Sequence, residues 1–194
     1  MPEELQKNNS DGSKTGGTLS NFLEILQVVL TSLIIVWLIR SYVIQPFLVK
    51  GASMEPNFHD GNYLIVDELS YRFRSPGRGE VIVFKYPKDP SQYFIKRIVG
   101  LPGEKVVIKN KQVTIYNNAN PNGLLLDERY LPSEEVTKGD VTVQLNPSEY
   151  FVMGDNRLFS SDSRSWGTLP ANLIVGKAWI RAWPLEQAKV FGNN

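Results

Sequence analysis

From Ile25 to Ile39 the chain carries no charged residue, and this run limits what the rest can be. Counted from Phe22 as a helix, it spans about 27 Å, close to the ~30 Å hydrocarbon core of a bilayer. Glu24 and Arg40 bracket it; an arginine there can snorkel to the head groups, and Trp37 and Tyr42 suit an interface. A buried core helix would be apolar along one stripe, whereas this run is apolar on all sides. A cleaved leader would carry a basic start and a small-x-small site soon after the apolar run, and the sequence has neither. The pattern predicts a retained transmembrane helix and interface over residues 22–44. Residues 1–21, rich in Ser, Gly, Asn and Thr, are expected to form a disordered tail. Charge counting leaves the orientation open, because Lys7 and Lys14 on one side are balanced by Arg40 and Lys50 on the other.

Beyond the helix the texture changes to short runs of Val, Ile, Tyr and Phe separated by turn residues. Tyr63–Val66, Val81–Tyr86, Tyr93–Val99, Tyr150–Met153 and about Ile174 to Trp183 read as strands. His59-Asp60-Gly61-Asn62, Ser75-Pro76-Gly77-Arg78-Gly79 and Pro87-Lys88-Asp89-Pro90 read as the turns between them. The expected fold class is therefore mainly β. Residues 106–146 look like a smaller β insertion, with a hairpin at Asn110-Lys111 and a polar, proline-bearing stretch from Asn117 to Asp140 whose order is left open. Residues 45–105 and 147–184 then make the main β domain, and 185–194 a C-terminal tail.

Composition removes several chemistries. The chain has no cysteine, which excludes thiol catalysis, cysteine zinc sites and disulfides. A formal net charge of +1 provides no basic field for nucleic acid, and no nucleic-acid partner is expected. The single histidine, His59, rules out a histidine-cluster metal site, and any Ser-His-Asp triad would have to use it. It lies in a polar turn beside Asp60, where side chains are exposed.

Among the serines, Ser53 stands between small residues and the turn segment Met54-Glu55-Pro56. It matches no G-x-S-x-G elbow, since Glu55 lies two residues on, and no S-x-x-K occurs in the chain. Taken alone it reads as a turn serine. Lys96 changes the balance, because it falls inside an apolar run and alternation puts it on the face of Phe94 and Ile98. A lysine at its ordinary pKa holds a free amine in about one molecule per thousand near neutral pH, a penalty of about 4 kcal/mol. Desolvation disfavours the charged form and can supply the neutral amine that a general base requires. The other reading of the same pattern is a lysine snorkelling to solvent at a sheet edge. In the hydroxyl-rich stretch from Gly154 to Gly167, Asp162 and Arg164 could equally be an ordinary surface ion pair.

Four segments in order carry a family pattern: Gly51-Ala52-Ser53-Met54-Glu55-Pro56; Asp60-Gly61-Asn62-Tyr63-Leu64-Ile65-Val66; Arg78–Phe84 running through Tyr93–Glu104; and Gly154-Asp155-Asn156-Arg157 with Ser160-Ser161-Asp162-Ser163-Arg164. Behind an N-terminal membrane helix, this order resembles the bacterial-type (type I) signal peptidases, membrane-bound Ser-Lys proteases. The resemblance implies antiparallel sheets, Ser53 as nucleophile and Lys96 as general base. It also implies that Ser160 orients the amine, that Asp162 and Arg164 hold its loop, and that the Ser53 N–H serves the oxyanion. Some family members place a serine hydroxyl two residues before the nucleophile, where this chain has Gly51. Val49, Met54, Phe94 and Ile95 are expected to line small pockets, giving a small-x-small preference to a signal peptide that binds as an added strand. No cofactor is implied. The implied partners are preproteins and the lipid bilayer, and the implied location is a cell or thylakoid-type membrane, N-terminus cytoplasmic and catalytic domain on the trans side. A Ser-Lys self-cleaving repressor-type protease and a non-catalytic, membrane-tethered peptide-binding β module are the rival readings.

Overall fold

The computed structural model describes residues 15–42 and 44–191, in two compact units divided after Ser41. The tail expected over residues 1–21 lies outside the described residues as far as residue 14. Its last part belongs instead to helix α1, Thr15–Tyr42. No proline interrupts residues 15–21, and once an apolar helix has nucleated, extending it through Thr, Leu and Ser adds one hydrogen bond per residue. Within α1 the segment Ser20–Trp37 has a mean hydropathy of 1.7 and none of it is buried, so it is long and apolar enough to cross a membrane.

The second unit is built from antiparallel strands: β1 Ile44–Leu48, β2 Tyr63–Asp67, β3 Val81–Tyr86, β4 Asp89–Gly100, β5 Lys105–Lys109, β6 Gln112–Asn117, β7 Asn120–Leu125, β8 Val141–Gln144, β9 Glu149–Met153, a one-turn helix α2 Ser163–Trp166, then β10 Leu169–Pro170, β11 Ile174–Trp183 and β12 Lys189–Val190. The main sheet runs β1-β2-β11-β3-β4-β9-β10, with β12 added on β11, and a separate sheet runs β7-β6-β5-β8. The second sheet is the segment read as an insertion. Strand β7 and the hydrogen bonds described below give the Asn117–Asp140 stretch a defined course.

Strand alternation divides the interior into three apolar clusters. Val106, Ile108, Val113 and Ile115 from the smaller sheet pack with Val99, Phe151 and Met153 from the main one. Ile82, Phe84, Ile98 and Val152 form a second cluster, and Val49, Met54, Phe58 and Leu64 a third. Glu104 fastens the two sheets together: its two oxygens accept from Arg78 Nη2 at 2.6 and 2.8 Å and Oε1 also accepts from Asn117 Nδ2 at 2.8 Å, while Arg78 Nη1 donates to the Val99 carbonyl. The segment read as a C-terminal tail is ordered through Phe191. Strand β12 pairs with β11, Phe191 N–H donates to the Trp179 carbonyl at 2.7 Å, and its ring lies 4.7 Å from that of Phe58. An aromatic residue eight positions after Trp183, the end of the last long strand, gave no alternating pattern that a sequence reading could recognise.

Two strand edges are left open and face the same cavity. Strand β1 pairs only with β2, and β4 pairs with β9 only from Arg97 to Gly100, so residues 92–96 keep one unpaired edge among the described residues.

Candidate active site

The turn after β1 is framed by local polar bonds. Val49 N–H donates to the Asn62 carbonyl at 2.9 Å, Gly61 N–H to the Val49 carbonyl at 3.0 Å, and Gly51 N–H to Asp60 Oδ1 at 2.7 Å. Gly51 adopts φ +84°, a left-handed conformation that favours glycine, and this aims the following residues across the open edges of the sheet. Asn156 holds the far side, its N–H donating to the Ser53 carbonyl and its Nδ2 to the Ala52 carbonyl, each at 3.1 Å. With its own N–H given to Asp60, Gly51 provides neither a hydroxyl nor a free amide as a second oxyanion donor.

Ser53 Oγ lies 2.7 Å from Lys96 Nζ, which also donates to the Ile95 carbonyl at 2.8 Å. Lys96 is 4% exposed. Burial pulls its pKa down to about 8, against the charges of Asp162 and Asp155, which push it up. Near neutral pH a useful fraction of the amine is therefore unprotonated. A hydroxyl and a sheltered amine at this separation can exchange a proton, which is the elementary step of base-assisted nucleophilic attack.

Around this pair the polar groups are bonded into a frame. Asp155, fully buried, accepts from Arg97 Nε at 2.8 Å and Nη2 at 2.6 Å and from Asn57 Nδ2 at 2.9 Å, while Arg97 Nη1 donates to the Gly79 carbonyl at 2.8 Å. Asp162 is likewise buried and receives Arg164 through Nε at 2.8 Å and a terminal nitrogen at 2.7 Å, and the Gly154 N–H at 3.0 Å. Burial alone would raise the Asp162 carboxyl, but the bonds and charge of Arg164 hold it below the usual carboxylate value. Asp162, buried, and Arg164, partly buried, thus form an ion pair at the start of α2, which the Asp162 side chain caps by accepting from the Arg164 N–H.

Ser160 stands differently from the arrangement the resemblance implies. Its Oγ is buried near the Asp162 carboxylate without reaching good hydrogen-bond geometry, and it makes no bond to the Lys96 amine. The amine gives one N–H to Ile95, and Ser160 is pressed against Gly154, where an added Cβ would collide with both Ser160 Oγ and the Ser53 carbonyl. Only a glycine at 154 allows these two loops to approach so closely.

A cavity of about 660 Å³ opens on the pair, and Val49, Phe94 and Ile95 line it together with Phe47, Tyr93 and Phe159. Met54 is fully buried behind this wall, packed with Val49 and Phe58, and does not line it. His59 is in contact with Glu55 at 3.6 Å on an exposed turn, and the proton-exchange pair does not include it. Four residues given no role from the sequence prove central to the frame: Asn57, Arg97, Asp155 and Arg157. Arg157, 2% exposed, bonds the Gly154 carbonyl at 3.2 Å, Tyr130 Oη at 3.0 Å and the Thr137 hydroxyl, and so fastens the 128–137 stretch behind the site. The dense run Gly154-Asp155-Asn156-Arg157 was a signal for Asp155 and Arg157, and the family segment Tyr93–Glu104 one for Arg97, while Asn57 lies outside every segment that stood out.

Residues 22–183 match the family described as signal peptidase, peptidase S26. A probable signal peptidase I-2 of Synechocystis sp. is 34% identical over 173 residues, covering 87% of this chain and 76% of that protein. Signal peptidase I of Bacillus caldolyticus is 37% identical over 162 residues, covering 77% and 85%. Signal peptidase IB of Staphylococcus aureus is 32% identical over 184 residues, covering 86% and 92%. The chain belongs to the signal peptidase family, peptidase S26, and so to the serine endopeptidases.

Proposed function

We propose that the protein removes N-terminal signal peptides from exported preproteins through a Ser53-Lys96 dyad and an acyl-enzyme, cutting after a small-x-small sequence. The observation that carries this reading is the 2.7 Å approach of a 4%-exposed Lys96 amine to Ser53 Oγ. The neutral amine takes the Ser53 proton as Oγ attacks the scissile carbonyl carbon. The oxyanion that forms is held by the Ser53 N–H. The protonated amine then gives its proton to the departing nitrogen, releasing the mature chain and leaving an ester on Ser53. Water attacks that ester with its proton passing to Lys96, and a proton returned to Ser53 Oγ restores the enzyme.

The substrate enters as an extended strand between the open edges of β1 and β4. Val49 and Ile95 leave little depth beneath it, which disfavours large side chains at the positions nearest the cut. Helix α1 anchors the chain in a cell or thylakoid-type membrane as a single span. Signal peptides become accessible only once the preprotein has begun to cross, so the catalytic unit lies on the trans side and the N-terminus in the cytoplasm.

A cleavage assay on a preprotein in detergent tests the assignment. Ser53→Ala and Lys96→Met are each expected to abolish processing with folding retained, while His59→Ala cleaves at close to the wild-type rate. Retained cleavage in either dyad variant would overturn the dyad, a wild type that binds the preprotein without cleaving it would favour a binding module, and a dead His59→Ala enzyme would move the base to the histidine.

A further inference from the structure

Ser53 N–H donates to no acceptor among the described residues, and Gly51, two residues before it, has given its own N–H to Asp60. In the mechanism above the oxyanion rests on this one amide, so its direction decides how much charge it can hold. The Ala52–Ser53 peptide is trans, and its C=O and N–H therefore point in opposite directions. A group that grips the Ala52 carbonyl from behind sets where the Ser53 N–H is aimed in front. Two groups grip it: Glu55 N–H at 3.2 Å, from within the same turn, and Asn156 Nδ2 at 3.1 Å, from a separate loop. Asn156 N–H also donates to the Ser53 carbonyl at 3.1 Å, so one residue holds both peptide units that flank Ser53. Ala52 and Ser53 line the cavity, whereas Asn156 lies outside its lining.

We propose that Asn156 is a positioning residue for the oxyanion, its side-chain amide holding the Ala52 carbonyl so that Ser53 N–H points at the oxygen of the scissile carbonyl; this rests on the Ser-Lys reading above. Asn156 is itself held in place. Asp155 before it is buried in its pair with Arg97, Arg157 after it is buried against the Gly154 carbonyl, and Asn156 Oδ1 accepts from Phe159 N–H at 3.2 Å. One end of this side chain must accept and the other donate, which an amide does and an ionised aspartate of the same shape does not. A hydrogen bond on a peptide carbonyl also polarises the N–H of the same peptide, so the grip strengthens the donor that it aims. Its effect is small while the scissile carbonyl is neutral and grows as charge gathers on the oxygen. Loss of the grip therefore falls on kcat and spares KM.

The test uses the full-length chain in detergent, a peptide substrate, and two peptides that end at the cleavage position in an aldehyde or in the corresponding alcohol. Ser53 Oγ adds to the aldehyde carbon, its proton passing to Lys96, and leaves the former carbonyl oxygen where the oxyanion forms; the alcohol binds without reacting. In Asn156→Ala, kcat and the affinity for the aldehyde are each expected to fall about tenfold, part of what removing an oxyanion donor outright costs. KM, the affinity for the alcohol and the pH of the acid limb stay at their wild-type values. Asn156→Asp keeps an acceptor for Phe159 N–H but has no donor for the Ala52 carbonyl, and its aldehyde affinity is expected to fall at least as far. An Asn156→Ala enzyme with wild-type kcat and aldehyde affinity would overturn the proposal. So would an Asn156→Asp enzyme with wild-type aldehyde affinity, which would leave only the tie to Phe159, or an equal loss for aldehyde and alcohol, which would place Asn156 in ground-state binding or folding. A Ser53→Ala enzyme that still cleaves the peptide would instead overturn the Ser-Lys reading, and the positioning role with it.

Discussion

Lys96 is costly to bury, and that cost is what makes it useful. Its pKa is lowered from 10.5 to about 8, so between these pH values the folded chain binds fewer protons than the unfolded one. Stability therefore rises with pH across that window and carries the full deficit, on the order of 3 kcal/mol, below about pH 8. Lys96→Met removes the deficit. It should raise the thermal midpoint relative to wild type at pH 7, with the gap narrowing by pH 9.5, and thermal unfolding at both pH values checks this. In the proposed mechanism the same group sets the acid limb of kcat/KM for a peptide substrate, which should rise through about pH 8 as the amine loses its proton. A kcat/KM that stays flat through pH 8 would mean that Lys96 is not the base, and equal midpoints at pH 7 would mean that it is not desolvated as described.

At the scale of elements, the distance between Ser53 Oγ and Lys96 Nζ depends on how the turn at residues 51–58 is tied to β4. Asn57 makes that tie. Its Nδ2 bonds Asp155 and the Tyr130 carbonyl, each at 2.9 Å, Asp155 holds Arg97 next to Lys96, and Arg181 donates to the Asn57 carbonyl at 2.9 Å. Asn57→Ala removes the side-chain bonds and leaves the Arg97–Asp155 pair in place. Its kcat is expected to fall about tenfold with KM little changed, because a small displacement of a reacting atom costs that much. Steady-state kinetics separate this outcome from a rise in KM alone, which would place Asn57 in binding. These ties also mark where the sequence stopped being legible. The long strands of the main sheet, the hairpin of the second and the Ser53 turn could be read because alternation and turn residues are local signals, whereas β7, β10 and β12 carry no such pattern. Asn57 and Asp155 lie 98 positions apart and Asn57 and Arg181 lie 124 apart, and such pairs leave no local period. Lys96 was ambiguous for a related reason: alternation shows that it shares a face with Phe94 and Ile98, but whether that face is closed to water depends on the turn folded over it.

Over the whole molecule the contacts divide the chain into α1 and the β unit, and the β unit has its own three apolar clusters. Because its contacts close on themselves, the β unit is expected to carry the proposed chemistry without α1, which would then act through concentration. A tether that keeps enzyme and substrate in one bilayer turns their encounter into a two-dimensional one at an effective concentration of roughly millimolar order. A chain beginning at Ile44, which retains β1, should cleave a soluble peptide with kcat/KM within about threefold of the full chain. On a preprotein embedded in lipid vesicles it should be slower by about a hundredfold or more, the advantage that linkage alone can supply. Comparing both enzymes on both substrates separates the two roles. Equal processing of the vesicle substrate would show that α1 contributes nothing beyond the β unit, and loss of the peptide activity would show that the groove between β1 and β4 needs the helix to form.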